Sequence, residues 1–306
     1  MMGLLVSVKK CLLVERYLYW IRKDKEKITF IRHLSILSAE DTIDFIINNR
    51  CNVSRFGDGE FYVASGASNG FQKPDKRLSR MLRDTLATSH KNLLLCVPIS
   101  LTTVNGLTLH SKLFITEFIH NHLKDAVMPY VSLDKRYGDS LFSRFYMSKS
   151  NKSSRRMRAY VDKLKSIWAN QDVLLVEGEF SRNGVGNDLF DNAKSLERIL
   201  CPAKDAFDRY DNILSSIRLH GKGKLVLMAL GMTATVLAKD LLDDGIWAID
   251  LGHIDTEYEW FRMKAKKKVA IPNKIVNEVA EKGNYQYMPE GGEYQRYKNQ
   301  IIEIIK

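Results

Sequence analysis

The sequence predicts an α/β fold in which a mostly parallel sheet is covered by helices on both faces. Three observations predict it. Short, near-continuous apolar runs read as strands buried on both sides, apolar residues recur at three- and four-residue spacing between them, and polar clusters follow the runs. With 306 residues, 45% of them hydrophobic, the chain can bury one large core.

In chain order, residues 1–32 read as an N-terminal arm of helical character and residues 33–306 as a single domain. Ser38 precedes an apolar helical pattern from Asp41 to Ile47, with Asp41 as a first-turn acid, and this helix should lead into a strand over Val53 to Phe56. Further strands are expected over Asn92 to Ile99, Val173 to Glu177, Arg198 to Cys201, Leu225 to Leu230 and Ala248 to Leu251. Met157, Tyr160, Val161, Leu164, Ile167 and Trp168 repeat at helical spacing, as do Phe207, Tyr210, Ile213, Leu214 and Ile217. A third helix should run from Thr233 to Leu242, entered through Gly231.

Composition narrows the class. No apolar run approaches the roughly eighteen residues that a membrane span needs. Basic residues follow the first apolar stretch instead of preceding it, against the order of a secretory signal. Cys11, Cys51, Cys96 and Cys201 lie far apart with no C-x-x-C pair, which suggests separate thiols in a reducing compartment. These features point to a cytoplasmic protein. The net charge, 47 − 36 = +11, favours phosphate-bearing partners or an anionic membrane surface. Basic runs at Lys149 to Arg158 and Lys264 to Lys268 lack the interleaved aromatics or motifs of a nucleic-acid binder, so no nucleic acid is expected. The segment Leu12 to Ile21 offers an interfacial pattern, with Arg16, Arg22 and Lys23 toward anionic lipid and Leu13, Tyr17 and Trp20 inserted. Packing of that helix on the protein is the competing use.

Four polar clusters fall at predicted strand ends, where open α/β sheets bind ligands. In the first, Arg55-Phe56-Gly57-Asp58-Gly59-Glu60, two carboxylates separated by one glycine can approach a divalent cation, and Arg55 can face phosphate oxygens. An Asp-Gly turn is the plainer reading of the same residues. In the second, Glu177 to Asp188, Gly184 and Gly186 and a helix expected from Asp188 would set backbone amides against a nucleotide phosphate, with Arg182 and Asn187 as side-chain donors, unless the segment is simply a structural surface loop. It is neither a Walker A loop nor a G-x-G-x-x-G fingerprint. The third, Gly231-Met232-Thr233, opens a helix whose free amides suit an anion or ribose hydroxyls, unless Thr233 simply caps that helix. The fourth runs from Gly252 to Phe261 and places His253, Asp255, Glu257 and Glu259 just beyond a buried strand. Asp255 and Glu259 share a helix face, and His253 or a carboxylate can take an acceptor proton, a capping or packed histidine being the plainer reading of His253.

Taken together, RFGDGEF at Arg55 to Phe61, the stretch from Gly184 to Leu214, LGMTATVLAKDLLDDG at Leu230 to Gly245 and LGHIDTEYEWF at Leu251 to Phe261 resemble the metal-dependent glycosyltransferases of the GT-D fold. The resemblance spans about Glu40 to Ile305. It implies a Rossmann-like domain that uses a nucleoside diphosphate sugar, typically UDP-glucose or a relative, with a divalent cation such as Mn2+ or Mg2+. The family's Asp-x-Glu motif falls on Asp58 and Glu60 as metal ligands. Its glycine-asparagine-aspartate segment falls on Gly186, Asn187 and Asp188, and its histidine segment on His253, Asp255 and Glu257. Members extend glycans on adhesins or build surface polysaccharides, so the implied acceptor is a glycan, glycoprotein or lipid-linked saccharide, with peripheral contact at the inner membrane face. Where many relatives carry proline, this chain has Met232. A metal-dependent phospho- or nucleotidyltransferase and a non-catalytic nucleotide- or glycan-binding module are the alternatives.

Overall fold

The computed structural model describes residues 2–67, 72–279, 283–287 and 290–306, with the backbone alone for 2–4. Among them nine strands form one sheet: β1 (Ser35–Ile36), β2 (Asn52–Arg55), β3 (Leu93–Val97), β4 (Arg136–Asp139), β5 (Asp172–Gly178), β6 (Ser195–Cys201), β7 (Leu225–Ala229), β8 (Trp247–Asp250) and β9 (Ile301–Ile304). Their order is β1-β4-β3-β2-β8-β7-β5-β6-β9, and every adjacent pair is parallel. Between them lie α1 (Met2–Lys23), α2 (Lys25–His33), α3 (Ala39–Asn49), α4 (Asp58–Ala64), α5 (Lys76–Ala87), α6 (Leu109–His122), α7 (Ser154–Lys165), α8 (Tyr210–His220), α9 (Met232–Asp240), α10 (Ile254–Arg262) and α11 (Gly292–Gln300).

Alternation along the strands divides the core between the two faces. Leu174, Val176, Val226 and Met228 point into one layer with Phe61 of α4, Leu78 of α5, Ile115 of α6, Ile213 of α8 and Val236 of α9. Val173, Leu175, Leu225 and Leu227 point the other way, against Ile43 of α3, Val161 of α7 and Trp260 of α10. Burial on both faces is why the central strands read as unbroken apolar runs. The expected α3 is closed at its start by Ser38, whose hydroxyl accepts from Asp41 N at 3.0 Å, and at its end by Arg50 at φ 46°.

Three strands escaped the sequence reading, each for a physical reason. β1 has only two residues and β9 pairs on one side only, so neither shows a long apolar run. β4 reads as Arg-Tyr-Gly-Asp, yet Tyr137 and Asp139 are fully buried and Gly138 admits Cys96 so closely that a Cβ there would lie 2.6 Å from its sulfur. The helix expected from Asp188 does not form. Asn187 Oδ1 accepts from Leu189 N at 3.0 Å, and successive turns close through Asp191 N to Asp188 O and Ala193 N to Phe190 O before β6 begins.

Residues 2–33 form α1 and α2. Val14 and Ile21 of α1 are buried, and Tyr17 stacks on His120 of α6 at 5.4 Å between ring centroids. Leu13 and Tyr17, read as lipid-facing, are therefore half-buried, and the outward face of α1 is a different one.

Candidate active site

β2 and β8 meet through a single paired position, Val53 with Ile249, and the chain proceeds outward from them in opposite directions. Loops after the two strands diverge there and leave a crevice at the carboxyl end of the sheet.

Arg55, the last residue of β2, reaches across this crevice. Its Nη1 donates to Ser140 O and Ser143 Oγ, both at 2.9 Å, and its Nη2 lies 3.4 Å from Asp250 Oδ1 at the end of β8. Asp250 also accepts from Gly252 N at 3.0 Å, and the single proton of the Thr235 hydroxyl is shared between Arg55 O at 3.0 Å and Asp250 Oδ2 at 3.2 Å. Burial raises the Asp250 carboxyl pKa, with Arg55 opposing the shift. Arg55 thus ties β2, β4 and β8 together.

Gly57 caps α4 through its backbone: Glu60 Oε2 accepts from Gly57 N at 2.7 Å. Glu60 is half-buried and its pKa is raised, by burial first and by the Asp250 charge in addition. Asp58, at the first position of α4, is exposed and accepts no hydrogen bond among the described residues, with Gly59 separating the two acids. Its charge acts on Arg144, in the loop beyond β4.

Arg144 faces the fourth cluster. Its Nη2 lies 3.0 Å from His253 Nδ1 and forms an ion pair with Glu278, whose other oxygen is 2.5 Å from Lys268 Nζ. A guanidinium only donates, so His253 Nδ1 is the acceptor and the neutral ring carries its proton on Nε2. Some 36% of the His253 side chain reaches solvent. Partial enclosure of the ring, then the Arg144 charge, lower its pKa, to about 3, with Glu278 opposing.

The acids of α10 are buried and engaged. Asp255 Oδ1 accepts from Gly184 N at 2.8 Å and Asn187 Nδ2 at 2.7 Å, and its Oδ2 lies 2.7 Å from Lys274 Nζ. Glu259, on the same face, takes Asn187 Nδ2 at 2.6 Å and Lys274 at 3.2 Å. Glu257 Oε2 accepts from Tyr146 N and Met147 N at 2.8 and 2.7 Å, and burial raises its pKa. These carboxylates fix two loops, 145–147 and 184–187, against α10.

The 177–188 segment is organised from beneath. Glu177, fully buried, accepts from Asn183 N and Nδ2, both at 2.7 Å, and pairs with Arg198. Arg182, expected to be free for phosphate, donates Nη1 to Asn273 O and Tyr287 O at 2.7 and 2.8 Å. Asp188 is exposed and its pKa is lowered to about 2, by Tyr258 OH and then Lys165. A 330 Å³ cavity lies beside Gly186, Asn187 and Asp188, bounded by Arg198, Arg262 and Tyr297; it does not include Asp58, Glu60 or His253. Gly231, at φ 55°, is the N-cap residue of α9, and Thr233 is fully buried with a hydroxyl that has no partner among the described residues, so it is not the cap.

The structure thus gathers Arg55, Gly57, Asp58, Gly59, Glu60 and His253 about one crevice and places Asp255, Glu257, Arg182 and Asn187 in the framework behind it. Sequence reasoning missed Arg144 and Glu278, which sit in loops without periodicity. Asp250 had a legible signal, a carboxylate closing an apolar strand.

A parallel α/β sheet with its polar groups gathered at a switch in strand order defines a protein that binds its ligand at the strands' carboxyl ends. Residues 53–279 match the family described as glycosyltransferase GT-D fold, and the chain belongs to that family. It is 36% identical over 274 residues to a probable glycosyl transferase Gly of Streptococcus gordonii and 37% over 273 residues to the glycosyltransferase GlyD of Streptococcus pneumoniae. Each alignment takes in 89% of this chain but only 39% and 33% of those proteins' lengths. Among solved structures, a domain of unknown function 1792 described as having a distinct glycosyltransferase fold superposes with a TM-score of 0.82 at 34% identity, over 92% of this chain and 99% of that one. A glycosyltransferase of the same domain type from Streptococcus sanguinis gives 0.81 at 34% identity, over 89% and 100%.

Proposed function

We propose that this chain transfers a hexose, glucose or a relative, from a nucleoside diphosphate sugar, a UDP-sugar by preference, to a hydroxyl of a glycan, glycoprotein or lipid-linked saccharide. It would work on the cytoplasmic side in surface polysaccharide or glycoprotein assembly, with peripheral contact at an anionic membrane. The observation that carries the reading is that, within a glycosyltransferase-family fold, the Asp58 charge acts on Arg144, which itself contacts His253.

Among the described residues no group of three or more His, Cys, Asp or Glu side chains is arranged to hold a metal ion. A hard cation that shares its shell with substrate phosphates and water needs only one or two carboxylates, and exposed Asp58 with half-buried Glu60 fits that donor set. When bound, Mn2+ or Mg2+ would offset the charge of the departing diphosphate. Arg144 is the cation assigned to face the same charge: it feels the Asp58 charge and a third of its side chain reaches solvent, although Glu278 and His253 hold it in the resting arrangement. His253 stands on the acceptor side as the proton-accepting group, which it becomes when Arg144 turns from Nδ1 toward the donor. Asp255 and Glu257 support it by holding the loops around it. Gly57 and the exposed Gly231 line the donor side of this reading, whereas Gly186 and Asp188 border a separate cavity and Asn187 and the buried Thr233 belong to the framework.

Incubation with a panel of nucleoside diphosphate sugars, nucleoside triphosphates and Mn2+ tests it. Release of nucleoside diphosphate from one sugar donor is expected. Turnover of triphosphates alone would make it a phospho- or nucleotidyltransferase, and tight donor binding without release would make it a binding module.

A further inference from the structure

One face of α1 is covered by the protein and the other is not. Val14 and Ile21 are buried, and Tyr17 rests on His120 of α6. On the opposite side Leu5 (64% exposed), Val8, Leu12 (64%) and Tyr19 follow one another at intervals of three, four and seven residues, which aligns them as a stripe along the helix. Lys9, Arg16, Trp20 and Lys23, at intervals of seven, four and three, run along its flank, and all four are exposed. Lys23 Nζ stands 5.3 Å from the centre of the Tyr19 ring, and Tyr19 and Trp20 meet edge to face at 5.5 Å.

We propose that this face of α1 lies flat on an anionic phospholipid surface, with Leu5, Val8, Leu12, Tyr19 and Trp20 in the headgroup boundary and Lys9, Arg16, Arg22 and Lys23 against lipid phosphates and carboxylates. This deepens the inner-face reading above by naming its contact surface, and it is independent of the transfer chemistry. Amphipathic order with aromatics and cations on the free face is what interfacial helices show. Between Leu5 and Lys23 five basic residues face one acid, Glu15, so the charge complements anionic lipid. No described helix is long and apolar enough to cross a membrane, and one whole face of α1 is already packed, so the helix lies on the surface. A second copy of α1 suits the stripe less well. Continuing it as a heptad seam places Glu15 and Arg22 at positions that should be apolar.

The test uses the full chain and phosphatidylcholine vesicles with or without about one quarter phosphatidylserine. Co-sedimentation at low salt is expected with the anionic vesicles only, accompanied by a blue shift in tryptophan emission. Trp20 should report it, since Trp168 and Trp260 are buried and Trp247 is half-buried. Arg16→Glu and Lys23→Glu should each lower partitioning by about five-fold or more, and Leu5→Ser with Leu12→Ser, which keep Trp20, should greatly weaken the emission shift. Arg155→Glu on α7 removes the same charge from another exposed surface and should leave partitioning nearly intact. Equal loss in the α7 variant would mean diffuse attraction and overturn the proposal. So would unchanged binding in the α1 variants, or self-association without vesicles that the α1 variants dissolve. Donor turnover in solution, measured on the same variants, reports separately on the transferase reading.

Discussion

The guanidinium of Arg55 fills the space that a side chain at position 252 would need: a Cβ on Gly252 would lie 1.8 Å from Arg55 Nη2. Gly252 also sits at φ 52°, a conformation that costs an L-residue roughly 1–2 kcal/mol. Close approach and strain act at the same residue, immediately before His253. Gly252→Ala should therefore push Arg55 off Asp250 and leave a buried carboxylate without its partner, a change worth about 3–5 kcal/mol in comparable buried pairs. Urea unfolding measures it. A variant as stable as the parent would mean that Arg55 is not seated beneath this loop.

Asp255 invites a reading as a catalytic acid or base, yet its carboxylate holds Lys274 and the 184–187 loop, and both Asp255 and Lys274 are buried. Asp255→Ala should strand the ammonium of Lys274 and lower stability by about 3–5 kcal/mol. Asp255→Ala with Lys274→Met should recover much of that stability, since the orphaned charge is gone. Full parental stability in Asp255→Ala, alongside lost turnover, would restore the chemical role and remove the structural one.

How far the sequence could be read follows from where each residue stands. The central strands β3, β5, β7 and β8 are buried on both faces, so their apolar runs announce them. β4 is equally buried but pairs at Gly138 and ends on Asp139, whose carboxyl accepts from Ile99 N and Leu141 N and is pushed by burial up to about 6. Its residues look polar because the contacts they make are polar and local. Asp58, Glu60 and His253 stood out because charged residues clustered after strands. Whether an acid faces the crevice or the interior depends on partners distant in sequence, as Lys274 is from Asp255, and no spacing rule supplies them. Arg182 shows the same limit, since its acceptors are carbonyls of Asn273 and Tyr287.

Asp58 and Glu60 should separate in their effects. Asp58 makes no hydrogen bond among the described residues, so Asp58→Ala should leave stability within about 0.5 kcal/mol while weakening Mn2+-dependent donor binding. Glu60 also receives Gly57 N, and Glu60→Ala should in addition cost about 1 kcal/mol through the lost cap. Calorimetry with and without Mn2+, beside thermal unfolding, checks both. Unchanged metal-dependent affinity in both variants would remove the cation from these residues.

Arg144, His253 and Glu278 form a coupled set whose pH behaviour has a definite sign. His253 has an ordinary value of 6.5 and one of about 3 in the folded chain. Between those values the unfolded chain binds the additional proton, so this histidine makes stability fall as pH drops below 6.5. Glu278, lowered from 4.5 to about 2 by Arg144 first among the favourable charges, adds stability that is complete above 4.5 and lost as pH falls toward 2. Both therefore steepen acid unfolding, His253 in the upper window and Glu278 in the lower. Removing the Arg144 charge takes away the second cause of the His253 shift and leaves Glu278 facing the ring, so Arg144→Ala should raise the histidine pKa, while Arg144→Lys should hold it low. Proton NMR of the His253 ring is the direct measurement: no titration from pH 8 to 5 in the parent, and a midpoint moved upward in Arg144→Ala. Turnover should follow the same logic, with the parent profile flat through pH 6.5 and an acid limb appearing in Arg144→Ala as His253 becomes protonated within the working range. A parent His253 that titrates near 6.5 would mean that the ring is neither enclosed nor held by Arg144 in solution.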